Sequence, residues 1–345
     1  MQTFKRVVCS VLVTVLVFAL VSAIVIEPYL NSESAYYQDA NLRNQLAGQI
    51  DCIVLGASHG LAGISTMILD EGLGCYSYNL SGSMMTLDNK YYMLKKELER
   101  NPVDTVILEI SFDTLTRKEK EEFAIGDAVA ITRLDTWSER VAYMLSYVAV
   151  DDWLNTYARL FVEGMAYFSN ILQGSSGSCV DYSLKGFGPG EPADITHTQS
   201  QIATSYNSGS VSNDYNEENV EKFSSIIDLC EDYGARVIVV TVPVSNALIM
   251  KNDGWDDFYQ WTTDYCRERN CEFYDMNLIA NRYDVFQDAF SFRDIDHLSG
   301  EGASACTAVL CDLIKKVDAG EDVSELFYQS YAEMKHDSPY MQYIS

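Results

Sequence analysis

The stretch DCIVLGASHG, residues 51–60, decides how this chain is read. An apolar run, Ile53 to Leu55, stops at Gly56-Ala57-Ser58-His59-Gly60. Leu61, Ile64, Met67 and Ile68 then recur at helical spacing. A short apolar run that passes through small residues into a helix is a buried strand followed at once by a helix N-terminus. Ser58 stands at that junction. A serine in this place is either an N-cap or a nucleophile, and the rest of the sequence must decide which.

Working outward, the same alternation repeats. "CYSYNLSG", 75–82, predicts a second strand leading into a glycine turn, and 86–100 predicts a charged amphipathic helix. "DTVILEIS", 104–111, predicts a third strand, apolar and β-branched. The pattern resumes with a helix over 216–233, the strand "ARVIVVTVPV" at 235–244, a helix over 255–269 and the strand "CEFYDMN" at 271–277. "FRDIDHLSGEGA" follows, then a helix through Lys316. Continuous apolar strands separated by helices indicate a parallel sheet covered on both faces. The expected fold is α/β, a flavodoxin-like parallel sheet of about five strands. Residues 51–111 and 216–317 would form this domain. Residues 112–215 would be a helical and loop insertion whose aromatics, such as Trp137, Tyr143, Trp153 and Phe161, either pack a subdomain or form a lid or membrane-docking surface. Residues 318–345 would be a polar tail with one short amphipathic segment.

Two features bound where the protein works. Lys5 and Arg6 precede Val7–Ile26, 20 residues without a charge, enough to cross a hydrocarbon core. Residues 1–30 therefore read as an N-terminal transmembrane anchor with the body outside the cytoplasm, joined by a linker over 31–50. Val21-Ser22-Ala23 leaves secretion after signal cleavage as the competing reading. The chain also carries 50 Asp and Glu against 24 Lys and Arg, a net charge of −26. Such a surface repels polyanions and excludes nucleic acid as a partner.

An exported chain permits disulfides among Cys52, Cys75, Cys179, Cys230, Cys266, Cys271, Cys306 and Cys311, with Cys266–Cys271 the first choice. No Cys-x-x-Cys or Cys/His cluster has zinc spacing, so neither a metal site nor a cofactor is expected.

Open parallel sheets place ligands beyond the carboxyl ends of their strands. Ser58 follows the first strand. Asn79, Ser81 and Gly82 follow the second, Ser111 and Asp113 the third, and Asp294 and His297 the last. This set fits acyl transfer. His297 would take the Ser58 proton, and Asp294, three residues earlier, would hold the imidazole. The side chain of Asp296 is expected to point away. The N–H groups of Ser58 and Gly82 would stabilise an oxyanion. His59, next to the nucleophile, either touches the substrate or simply caps or packs, and Asp113 is a candidate substrate contact; His197 and His336 read as bystanders.

With these residues in view, the chain resembles the SGNH (GDSL-type) hydrolase superfamily. Gly56-Ala57-Ser58 matches its first block, Gly82 its second-block glycine, and Asp294-Ile295-Asp296-His297 its last block, Asp-x-x-His. The wording of GASHG and DHLS is similar to a cell-surface branch that includes the D-alanyl-lipoteichoic acid biosynthesis protein and alginate-type O-acetyltransferases. The resemblance implies a serine esterase or O-acyltransferase acting on envelope polysaccharide, with a multispanning acyl-donor protein as a possible partner. One departure stands out. The family's third-block asparagine is replaced by Glu109-Ile110-Ser111-Phe112-Asp113, so Ser111 or Asn79 would have to supply the missing donor. That departure also supports an alternative: a degenerate accessory protein that binds glycan or organises a membrane complex. GASHG also satisfies the nucleophile elbow of α/β-hydrolases, but there the serine follows several strands, not the first.

Overall fold

Five parallel strands form one sheet: β1 (Cys52–Leu55), β2 (Ser77–Asn79), β3 (Thr105–Glu109), β4 (Arg236–Thr241) and β5 (Glu272–Asp275), in the order 2-1-3-4-5. This is the flavodoxin-like order, whose direction reverses between β1 and β3. The computed structural model describes residues 2–30, 35–116, 120–173, 182–193 and 213–339. The register pairs Val54 with Ile107, Leu108 with Val239 and Val240 with Tyr274. All four residues of β1 are buried, as the uninterrupted apolar run demands of a strand covered on both faces.

The helices are α1 (Gln2–Val21), α2 (Glu27–Leu30), α3 (Ala35–Gln45), α4 (Ser58–Gly63), α5 (Thr66–Leu73), α6 (Leu87–Arg100), α7 (Lys120–Thr132), α8 (Trp137–Tyr147), α9 (Trp153–Leu172), α10 (Glu217–Asp232), α11 (Asn246–Lys251), α12 (Trp255–Glu268), α13 (Arg282–Val285), α14 (Gly300–Asp318) and α15 (Tyr331–His336). The chain divides into two units: Met1–Gln45 with Lys120–Asp181, and Leu46–Glu119 with Tyr182–Ser345.

In the sheet unit, α14 packs on α4 and α5, and α10 packs on α6 and β4. Leu69 of α5 and Cys306, Leu310 and Leu313 of α14 join Val54, Ile107, Ile238 and Val240 in one core. Each such side chain contributes about 1.5–3 kcal/mol when fully buried. Thr86 starts α6 with a capping box, its hydroxyl accepting from Asn89 N–H while the Asn89 side chain accepts from Thr86 N–H. The tail is less free than its polarity suggests. Tyr331 is buried, donates to Asp275 Oδ2 at 2.7 Å and stacks on Trp255.

In the other unit, α1 continues through a π-helical turn, Ser22–Ile26, into α2. Residues Lys5–Leu30 make a helix long and apolar enough to cross a membrane or serve as a signal sequence. Ala35–Gln45, expected as linker, is helix α3. Its Arg43 is buried, bonded to Asp39 at 3.0 Å and to the Arg133 carbonyl at 2.6 Å. Such buried polar bonds stabilise a helix whose sequence shows no amphipathic stripe.

The expected disulfide is absent: Cys266 and Cys271 are both free thiols. Cys266 faces the core from α12, while the Cys271 thiol donates to the Arg269 carbonyl at 3.5 Å. Their link is a backbone bond, Cys271 N–H to Cys266 O at 2.8 Å, which closes the turn into β5. Cys179 and His197 lie outside the described residues.

Candidate active site

β1 delivers Ser58 to the switch point of the sheet, where β1 and β3 lie side by side. The N-cap position of α4 is Ala57, and no side chain caps this helix. Ser58 is therefore not an N-cap. Its hydroxyl instead lies 2.8 Å from His297 Nε2, across 239 positions of sequence. The first N–H groups of a helix have no partner inside it, so the Ser58 N–H is available where charge would develop.

His297 sits in a clamped loop. An antiparallel bridge between buried Phe292 and Leu298 closes residues 293–297 into a tight turn. Arg293 N–H donates to His297 O at 3.1 Å, and Ser245 N–H donates to Ile295 O at 3.1 Å, tying the loop to the end of β4. Asp294 Oδ1 accepts from the backbone N–H of Asp296 at 3.1 Å and of His297 at 2.8 Å. The same oxygen lies 2.9 Å from His297 Nδ1.

Asp296 does not point away, as the sequence suggested. Its Oδ1 is also 2.9 Å from His297 Nδ1, so two carboxylates share one ring nitrogen. The alternation that would send residue 296 outward holds for an extended strand; here the turn at Asp294 folds it back. Asp296 is the better shielded of the two, with 17% of its side chain exposed against 46% for Asp294. Burial disfavours the charged imidazole, but the bonds to Asp294 and Asp296 outweigh it and push His297 up to about 9. Burial likewise opposes charge on Asp296, yet its bonds to His297 and Asp294 hold it well below the usual carboxylate range.

His59, left open between substrate contact and packing, belongs to this cluster. It is buried and its ring stacks on that of His297, centroids 4.7 Å apart and planes 16° from parallel. His59 Nε2 is buried without a hydrogen-bond partner, 3.9 Å from Asp296 Oδ2. His59, Asp296 and His297 thus bring one ligand atom each within 4.8 Å, a grouping no local spacing could reveal. Stacked rings aim their in-plane lone pairs side by side, so the two nitrogens do not converge on one metal position unless a ring turns.

The expected oxyanion donors divide. Asn79 is fully buried, and its amide donates to Gly60 O at 2.9 Å and Ile64 O at 3.0 Å. Ser111 donates its hydroxyl to Asp113 Oδ1 at 2.7 Å, and its N–H bonds Thr114 Oγ1 at 3.0 Å. Both are engaged locally, so neither side chain stands ready as an oxyanion donor. Asp113, a candidate substrate contact, serves as Ser111's acceptor. The Gly82 N–H reaches only the Gly56 carbonyl, at a long 3.4 Å, a bond weak enough to exchange for a stronger acceptor.

Two contributors escaped the sequence reading. Glu109, the last residue of β3, is fully buried and its Oε2 accepts the Ala57 N–H at 2.9 Å. A Cβ on Gly56 would fall 2.6 Å from that oxygen, which explains the glycine. The signal was visible: a lone carboxylate at the end of an otherwise apolar strand. Glu109→Leu is expected to leave the Ala57 N–H unsatisfied and lower stability by about 1–3 kcal/mol, whereas Glu109→Gln keeps an acceptor. Denaturant unfolding of the two variants measures this.

The second contributor is the segment 184–193, read as irregular insertion. Lys185 O accepts from Asn79 N–H at 2.8 Å, Gly188 N–H donates to Leu61 O at 3.0 Å, and Gly190 O accepts from Gly300 N–H at 2.8 Å. This strap therefore joins β2, the serine helix and the start of α14. Gly186 has φ +84°, and a Cβ there would meet the Asn79 carbonyl at 2.0 Å.

No protein-family model matches the chain, and no curated protein is significantly similar to it.

Proposed function

We propose that this protein is a membrane-anchored serine esterase or O-acyltransferase of the SGNH type, acting on acyl esters of the cell envelope. One observation carries the reading: Ser58 Oγ, His297 Nε2 and the two carboxylates at His297 Nδ1 form a continuous hydrogen-bonded line. Neutral His297 removes the Ser58 proton as Oγ attacks the acyl carbonyl. The Ser58 N–H, with the Gly82 N–H as it leaves Gly56, binds the oxyanion. His297 then returns the proton to the departing alcohol, leaving an acyl-serine. Water or a polysaccharide hydroxyl gives its proton to His297, takes the acyl group and restores Ser58. The Nδ1–H donates to Asp294 and Asp296 throughout and fixes the tautomer. No step needs a cofactor.

A retained anchor is supported by packing around the possible cleavage site. Ser22 is buried and its hydroxyl lies 3.1 Å from the Tyr157 hydroxyl. Ile26, Tyr29 and Leu30 are buried as well. Cleavage after Ala23 would sever a packed helix. With Lys5 and Arg6 on the short side, the body lies outside the cytoplasm.

A second reading has its own observation. With Asn79 and Ser111 engaged elsewhere, no side-chain oxyanion donor is identified among the described residues, and losing one donor costs about 100- to 1000-fold in rate. A glycan-binding accessory protein would show this. Full-length protein incubated with p-nitrophenyl acetate, with and without an oligosaccharide acceptor, separates the two. Ester cleavage, with acetyl transfer to the sugar, is expected; no turnover beyond that of Ser58→Ala, in a protein that still binds the sugar, would favour the accessory reading.

A further inference from the structure

α9 has two apolar faces, and only one is covered by the described residues of its unit. Thr156, Leu160 and Gly164 are buried, and Gly164 lies against the backbone of Val25. Tyr157 donates to the Phe18 carbonyl at 2.9 Å, and Tyr167 lies 6.1 Å from Tyr29. The contacts advance together, 18 with 157, 25 with 164 and 29 with 167. α9 therefore runs beside the last turns of the N-terminal apolar helix, in the same direction.

The other face carries Leu154, Ala158, Phe161, Met165, Phe168 and Leu172, spaced 4-3-4-3-4. All six are exposed or half-exposed, Leu154 by 65% and Leu172 by 86%. A helix facing water presents polar residues at such positions. The charges of α9 lie elsewhere, Arg159 paired with Glu163 at 3.6 Å.

The neighbouring helix says what surrounds this face. Val7–Ile26 matches a hydrocarbon core of about 30 Å, and Phe18, eight residues before Ile26, lies about 12 Å inside that span. A side chain beside Phe18 is at a depth occupied by lipid chains. Val17, Phe18, Leu20 and Ile24 are exposed on that helix, and the Phe18 ring lies 4.8 Å from the ring of Tyr157 on α9. Beside it, Ile26, Trp137, Met144, Trp153 and Leu160 line a cavity of about 210 Å³. Asp151 is the only exposed charge between residues 141 and 158. A carboxylate at the bilayer centre costs about 2.5–3.5 kcal/mol, so Asp151 limits how deep the turn before α9 can go.

We propose that the exposed seam of α9 lies among the acyl chains of the leaflet through which the anchor leaves the membrane, making the helical unit an interfacial membrane platform. The proposal rests on the retained anchor and not on the chemistry at Ser58. Full-length protein in vesicles of phosphatidylcholine and phosphatidylglycerol, doped with a phospholipid bearing a diazirine at its chain end, tests it. After irradiation, peptide mass spectrometry is expected to find lipid adducts within 153–172 as well as within 7–26. In vesicles with brominated chains, Trp153→Phe is expected to reduce fluorescence quenching. Adducts on the anchor alone overturn the proposal and leave the anchor reading standing; α9 cross-linked to protein instead of lipid does the same in favour of a second copy or another membrane protein. A mature chain lacking residues 1–23 removes the anchor reading and the proposal together.

Discussion

Ser58→Ala is expected to lower acyl-ester turnover by on the order of 10⁶-fold while leaving the fold intact. The loss follows because, among the described residues, no other hydroxyl is bonded to the His297 imidazole: Ser58 Oγ is the group 2.8 Å from Nε2, and the Ser111 hydroxyl is turned to Asp113. The fold survives because the hydroxyl caps nothing; α4 begins on Ala57 without a side-chain cap. Removing the nucleophile, rather than weakening binding, takes away an interaction made only on the way to the transition state. Single-turnover kinetics and a thermal melt of the same preparation measure the two halves. A variant that folds and still turns over ester within tenfold of the parent would remove Ser58 from the chemistry.

The second large effect is on pH dependence. With His297 pushed up to about 9, only ~1% of the sites at pH 7 carry the neutral imidazole that can act as base. kcat/KM is expected to rise about tenfold per pH unit and to level off near 9. Asp294→Asn or Asp296→Asn removes one of two acceptors and lowers the His297 pKa, so the acid limb moves to lower pH. Each single change is expected to cost about 10- to 100-fold at the plateau, because the remaining carboxylate still holds Nδ1–H; the double change costs about 10⁴-fold. The shift also bears on stability. A histidine raised above its ordinary value stabilises the fold fully below about 6.5, and that contribution is lost as pH rises through about 9. A profile flat from pH 6 to 9 would contradict the paired-carboxylate geometry.

What the sequence disclosed and what it hid have physical causes. The strands were legible because a parallel strand covered on both faces must be apolar without alternation, as in Cys52–Leu55 and Arg236–Thr241. Ser58 and His297 were legible because strand ends and the Asp-x-x-His spacing bring such groups to one edge of the sheet. Asp296 was misjudged because a clamped turn does not alternate its side chains as a strand does. Asn79 and Ser111 were misjudged for a different reason. Polar residues at buried strand ends are first claimed by nearby backbone, here Gly60 O, Ile64 O and the turn at Thr114. The strap at 184–193 has no periodicity to read; backbone bonds and a positive φ at Gly186 hold it. Tyr331, in a polar tail, is held by a buried bond to Asp275, a bond from its backbone N–H to Asp256 and its stacking on Trp255, none of which a local pattern announces.

The central claim is that His297 makes the Ser58 hydroxyl a nucleophile. Reaction of the full-length protein with an organophosphonate, read as adduct mass on the peptide containing residues 51–60, tests it most directly. The account predicts one adduct, on Ser58, formed far more slowly in His297→Gln. No adduct on the parent protein, or one that forms at the same rate without the imidazole, would contradict it.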